Sequence, residues 1–154
     1  MATISISWQR PLELTSGHAH NMIYMCDLDA IPDAAGVYVF GRVFGDSFAP
    51  IYIGETESLQ KRIWQHLQYV PLMMSLQNAR SGTRYLHMGV LEGKRGQNGK
   101  SALQRVERAM IKYALAQGYE LVNEKGTKTP YDEILFSGNR ECTRVFGSSM
   151  HLEK

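Results

Sequence analysis

Two three-residue runs, Gly36-Val37-Tyr38 and Tyr52-Ile53-Gly54, constrain this chain more than any other feature. Each sits in a short apolar stretch, and residues 37–40 and 51–53 read as strands. Residues 41–50 between them carry the Gly and Pro punctuation of a loop. Two antiparallel strands joined there would bring both tyrosines to one region of a sheet. A helical pattern follows over 58–70. Leu59, Ile63, Leu67 and Val70 make an apolar stripe, and Arg62, His66 and Tyr69 border it. Arg62 and His66 lie one turn apart on one face. Two phenols, a guanidinium and an imidazole are therefore expected together, a set suited to attack on a phosphodiester. Taken alone, Arg62 and His66 also read as an arginine lying over the edge of the core and a surface histidine.

The whole chain is much longer than this hairpin and helix. Its 154 residues are enough for one domain with a buried core. A net charge of +2 and a pI of about 8.6 permit a nucleic-acid partner without requiring one. No apolar run approaches the ~20 residues of a membrane span. Residues 1–8 alternate like a strand and do not read as a signal peptide. Cys26 and Cys142 make no disulfide framework or metal cluster, and reduced thiols in a cytoplasmic protein are expected. His18 and His20 form a His-x-His pair without a supporting third ligand in sequence.

Residues 84–91 alternate, with Leu86, Met88 and Val90 on one side, as in a half-covered strand. The Gly-rich loop 93–101 ends in Gly99-Lys100-Ser101 and opens a helix, the setting of a phosphate-binding P-loop. Lys94 stands where that motif needs glycine, so the spacing argues against nucleotide binding. Lys94, Arg95 and Lys100 are then candidate contacts to nucleic-acid phosphates, with Lys61 on the earlier helix, or part of an ordinary solvated turn. The next helix is expected over 101–117, with Gly118 as its stop. Glu107 lies inside its apolar arc of Leu103, Val106 and Met110. A carboxylate so placed needs a cation or an ion-pair partner, and both a metal site and a bridge to Arg62 answer that need. Arg105, Arg108 and Lys112 share the opposite face, as solvated charges or as a contact for DNA or a partner.

Together these residues resemble the GIY-YIG nuclease family. Gly36-Val37-Tyr38 matches its first triplet with Val in place of Ile, and Tyr52-Ile53-Gly54 matches the second. Arg62 falls at the family's helix arginine, His66 one turn later, Glu107 at its metal-binding glutamate and Asn123 at its late asparagine. The resemblance covers residues 31–125. It implies an α+β fold with a small mixed or antiparallel sheet of about three strands, flanked by helices in the order β-β-α-β-α. Residues 1–30 and 126–154 would then be extensions, the first part of the same globule. The implied activity is a metal-dependent endonuclease that hydrolyses DNA with one Mg²⁺ or Mn²⁺ per site. Glu107 would hold the ion and Arg62 would neutralise the phosphoryl oxygens. Tyr38 would be the general base, Tyr52 and His66 would position water or pass on its proton, and Asn123 would help hold the site. DNA is the expected partner, with branched and single-stranded forms among the candidate substrates, and a homodimer or a partner protein is compatible with the chain. The alternative is a nucleic-acid-binding module of the same fold that does not cleave.

Overall fold

The computed structural model describes residues 3–93, 99–123 and 132–152. Strand β1 (Thr3–Trp8) buries Ile4, Ile6 and Trp8 in the alternation that a half-covered strand requires. Three two-residue strands follow: β2 (Leu12–Glu13), β3 (Thr15–Ser16) and β4 (Tyr24–Met25). Among the described residues β3 and β4 pair only with each other. The tyrosine hairpin is formed by β5 (Gly36–Phe44) and β6 (Ser47–Thr56). Most of the expected 41–50 loop is therefore strand. Gly41 and Pro50, read as loop punctuation, are paired opposite each other at a register shift after Phe40. A side chain at Gly41 would strike the Phe48 ring. Pro50 sits at a register shift on the outer strand, a place in a sheet where proline is tolerated.

Helix α1 (Leu59–Gln68) starts at Ser58, whose hydroxyl accepts from the Lys61 N–H. It ends at Tyr69, and α2 (Val70–Asn78) begins with Pro71 in its first turn, where no amide donor is needed. Strand β7 (Thr83–Glu92) then pairs with the free side of β5. Helix α3 (Gly99–Ala116), strand β8 (Asp132–Ser137), helix α4 (Arg140–Phe146) and strand β9 (Ser149–Leu152) complete the chain.

The sheet corrects the three-stranded expectation. It has seven strands in the order β6-β5-β7-β1-β8-β9, with β2 also on β7. It is mixed, because β1 runs antiparallel to β7 and parallel to β8. Residues read as terminal extensions thus supply its middle. Their apolar alternation gives β7 a second neighbour and buries its far edge. One face of the sheet carries Tyr38, Phe40, Leu86 and Met88 under α1 and α2. The other carries Val37, Val39 and Ile53 under α3 and α4. Among the described residues no helix is long and apolar enough to cross a membrane.

Candidate active site

The two glycines of the triplets are fixed by packing. Tyr38 stands opposite Gly54 across the hairpin, and Phe40 stands opposite Tyr52. A Cβ on Gly54 would fall inside the Tyr38 phenol, so only glycine leaves room for that ring. Gly36 lies where β5 meets the Gly89 carbonyl of β7, and a Cβ would overlap it. The Tyr38 ring is 1% exposed. Its hydroxyl would cost about 1–3 kcal/mol if buried without a partner. The partner is His66 on α1, with Tyr38 Oη 2.6 Å from His66 Nε2. His66 is buried against Tyr38, Phe40 and Tyr52, not a surface residue.

Burial pushes His66 down to about 4, and the nearby Arg62 charge adds to the effect. The imidazole is neutral at pH 7, and its tautomer sets which of the two groups donates in this bond. Burial also raises Tyr38 above the usual phenol range, opposed by a hydrogen bond from Arg62 and assisted by Tyr52 and Glu107. Tyr52 is raised by burial first and then by Glu107. At rest both phenols keep their protons. Arg62 is poised over them on the exposed side of α1, and its Nη1 donates to Gln65 Oε1 at 3.2 Å.

Asn123 serves the outer edge of the sheet. Outward-facing backbone groups of an edge strand need partners. The Asn123 Oδ1 accepts from Ile53 N at 2.8 Å, and its Nδ2 donates to Ile53 O at 2.6 Å. The Val122 N–H donates to Ile51 O at 2.8 Å. This side-chain amide thus stands in for a neighbouring strand. The chain reaches that edge because Gly118 takes φ +88° at the end of α3, and Tyr119 N bonds back to Ala114 O.

α1 from one face and α3 from the other meet at this edge. Tyr38, Tyr52, Arg62, Glu107 and Asn123 line one cleft of about 390 Å³, with Glu55 at its wall. No family model, curated protein or solved structure matches this chain.

Sequence reasoning missed Glu55. It directly follows the second triplet, and an acid at the end of a strand entering the cleft was the available signal. Its carboxyl is raised by burial and by Glu57, and lowered by Lys100 and Arg62. Among the described residues no three His, Cys, Asp or Glu side chains gather as a metal group. Mg²⁺, however, is commonly held by one or two carboxylates, with water completing its shell. Glu107 and Glu55, facing one cleft, fit that requirement.

Of the remaining candidates, Lys61 and Lys100 line an adjoining cleft with Arg62. Lys94 and Arg95 lie outside the described residues. His18 and His20 occupy an exposed 3-10 turn. Cys26 and Cys142 are free thiols.

Proposed function

We propose that this chain is a GIY-YIG-type endonuclease that hydrolyses DNA phosphodiesters with one divalent cation. The convergence of Tyr38, Tyr52, Arg62, Glu107 and Asn123 at one cleft carries the reading. They come from β5, β6, α1, α3 and the segment after α3, distant in sequence and chemically complementary. Glu107, with Glu55, would hold the ion, which would supply positive charge to polarise the scissile phosphate and stabilise the leaving oxygen. Arg62 reaches the same cleft and is placed to neutralise charge building on the phosphoryl oxygens.

Tyr38 is the general base in this reading, and its proton sets the barrier. A phenol of ordinary pKa costs roughly 4 kcal/mol to ionise at pH 7, and burial adds to that. Arg62 lowers the cost by stabilising phenolate, and neutral His66, 2.6 Å from the phenol oxygen, holds Tyr38 in position. Tyr52, stacked on Tyr38 with ring centroids 6.3 Å apart, orients the attacking water.

The non-cleaving module is the second reading. It accounts for the basic residues but gives no reason to bury a tyrosine–histidine pair beside two carboxylates. Incubation of branched, single-stranded and duplex DNA with Mg²⁺, Mn²⁺ or chelator separates the two. The nuclease reading expects metal-dependent products, reduced at least a hundredfold in Arg62→Ala. DNA binding without cleavage of any substrate would favour the module.

A further inference from the structure

Three clefts lie end to end along the outer edge of β6. The candidate site shares Glu55 and Arg62 with a cleft that also contains Lys61 and Lys100. On its other side it shares Val122 with a cleft of about 430 Å³ that contains Arg42, Phe44 and Arg80. Residues of β6 itself order them. Thr56 and Glu55 line the first, Tyr52 the middle one, and Ile51, Pro50 and Ala49 the third. Apart from residues shared with the site, each outer cleft sets two cations against one carboxylate. These are Lys61 and Lys100 with Glu57, and Arg42 and Arg80 with Glu120.

The far end is built as well as charged. Arg42 Nη1 donates to Ser81 O at 2.9 Å, which fixes the guanidinium 4.2 Å from the centre of the Phe44 ring. Phe44 is 44% exposed, although an aromatic ring on a hairpin tip gains nothing from water. A cation held on an exposed ring combines the two elements that bind single strands: a charge for phosphate and a face for a base.

We infer that these clefts form one track for a DNA strand, with Lys61 and Lys100 binding phosphates on one side of the cleavage point and Arg42, Arg80 and Phe44 gripping the strand on the other. The inference rests on the nuclease reading and adds the direction of the strand, along the edge of β6. At ~3.3 Å per residue that edge is roughly 33 Å long, so the track holds the strand well beyond the scissile bond.

The test is fluorescence anisotropy of a labelled single-stranded oligonucleotide with the full chain in chelator, over a range of salt. The slope of log affinity against log salt falls in magnitude by about 0.7 for each single-strand phosphate that the protein no longer neutralises. Arg42→Gln/Arg80→Gln should bind at least tenfold more weakly, with a slope about 1.4 smaller in magnitude. Phe44→Ala should weaken binding at least fivefold with little change in slope. Arg10→Gln/Arg140→Gln, both outside the groove, should match the native chain. Arg80→Gln alone, an exposed position, keeps the test valid if loss of the Arg42–Ser81 bond impairs folding. It should lower the slope by about 0.7. Native-like binding and slope in the Arg42 and Arg80 variants, with DNA cleavage intact, would overturn the track alone. No DNA binding by the native chain would overturn the track and the nuclease reading together.

Discussion

Tyr38 is the residue on which the site is built, and its neighbours explain themselves through it. Gly54 exists to clear its ring, and His66 to satisfy its hydroxyl. Gly54→Ala would force a methyl into the phenol, at a cost of about 1–3 kcal/mol. Urea unfolding should show that loss, and cleavage should fall with it. Native stability and activity in the variant would refute the packing argument. The histidines give a second prediction. Burial lowers His66 and His87 to about 4 each. Their neutral forms support the fold fully above about pH 6.5, the unfolded value. As pH falls from there toward 4, the unfolded chain binds protons that the folded imidazoles refuse. The loss approaches on the order of 3 kcal/mol per histidine. Unfolding curves from pH 7 to 4 should show it, and His66→Gln should show a shallower decline. Equal pH dependence in the two chains would contradict burial as the cause. The tyrosine–histidine pairing was half legible: the helical stripe put Arg62 and His66 side by side, but the burial of His66 depends on three aromatic rings from two other strands.

At the scale of elements, the outer edge of β6 decides the geometry. Asn123 closes both free backbone groups of Ile53, so Asn123→Ala should leave two polar groups without a protein partner and cost about 1–3 kcal/mol. The Ile53 amide should then exchange its hydrogen faster than in the native chain. Unchanged protection of that amide would show that the bond contributes nothing. The hairpin itself was readable from its two apolar runs, although its length was not. Gly41 and Pro50 have the local chemistry of a loop, and only their positions, beside the Phe48 ring and on an outer strand, make them strand residues. Glu107 was visible as a charge on an apolar face. Its companion Glu55 gave a weaker signal, an acid directly after the second triplet, whose place in the cleft shows only once α3 is packed beside it.

At the scale of the whole molecule, the sheet is more than twice as wide as the expected three strands. Alternation in Thr3–Trp8 marks a strand but says nothing of its neighbours. Its insertion between β7 and β8 is a long-range choice, set by burying Ile4, Ile6 and Trp8 against α3 and α4. That wider sheet backs β5 with β7 and leaves β6 as the outer strand, where Val122 and Asn123 pair with Ile51 and Ile53 and the cleft forms. The central claim is that this edge cuts DNA through Tyr38 and Glu107. Its most direct test is nicking of supercoiled plasmid by the native chain, Tyr38→Phe and Glu107→Ala, each with Mg²⁺ and with chelator. The account predicts nicking by the native chain with Mg²⁺ only, and a loss of at least a hundredfold in both folded variants. Full metal-dependent nicking by either variant would contradict it.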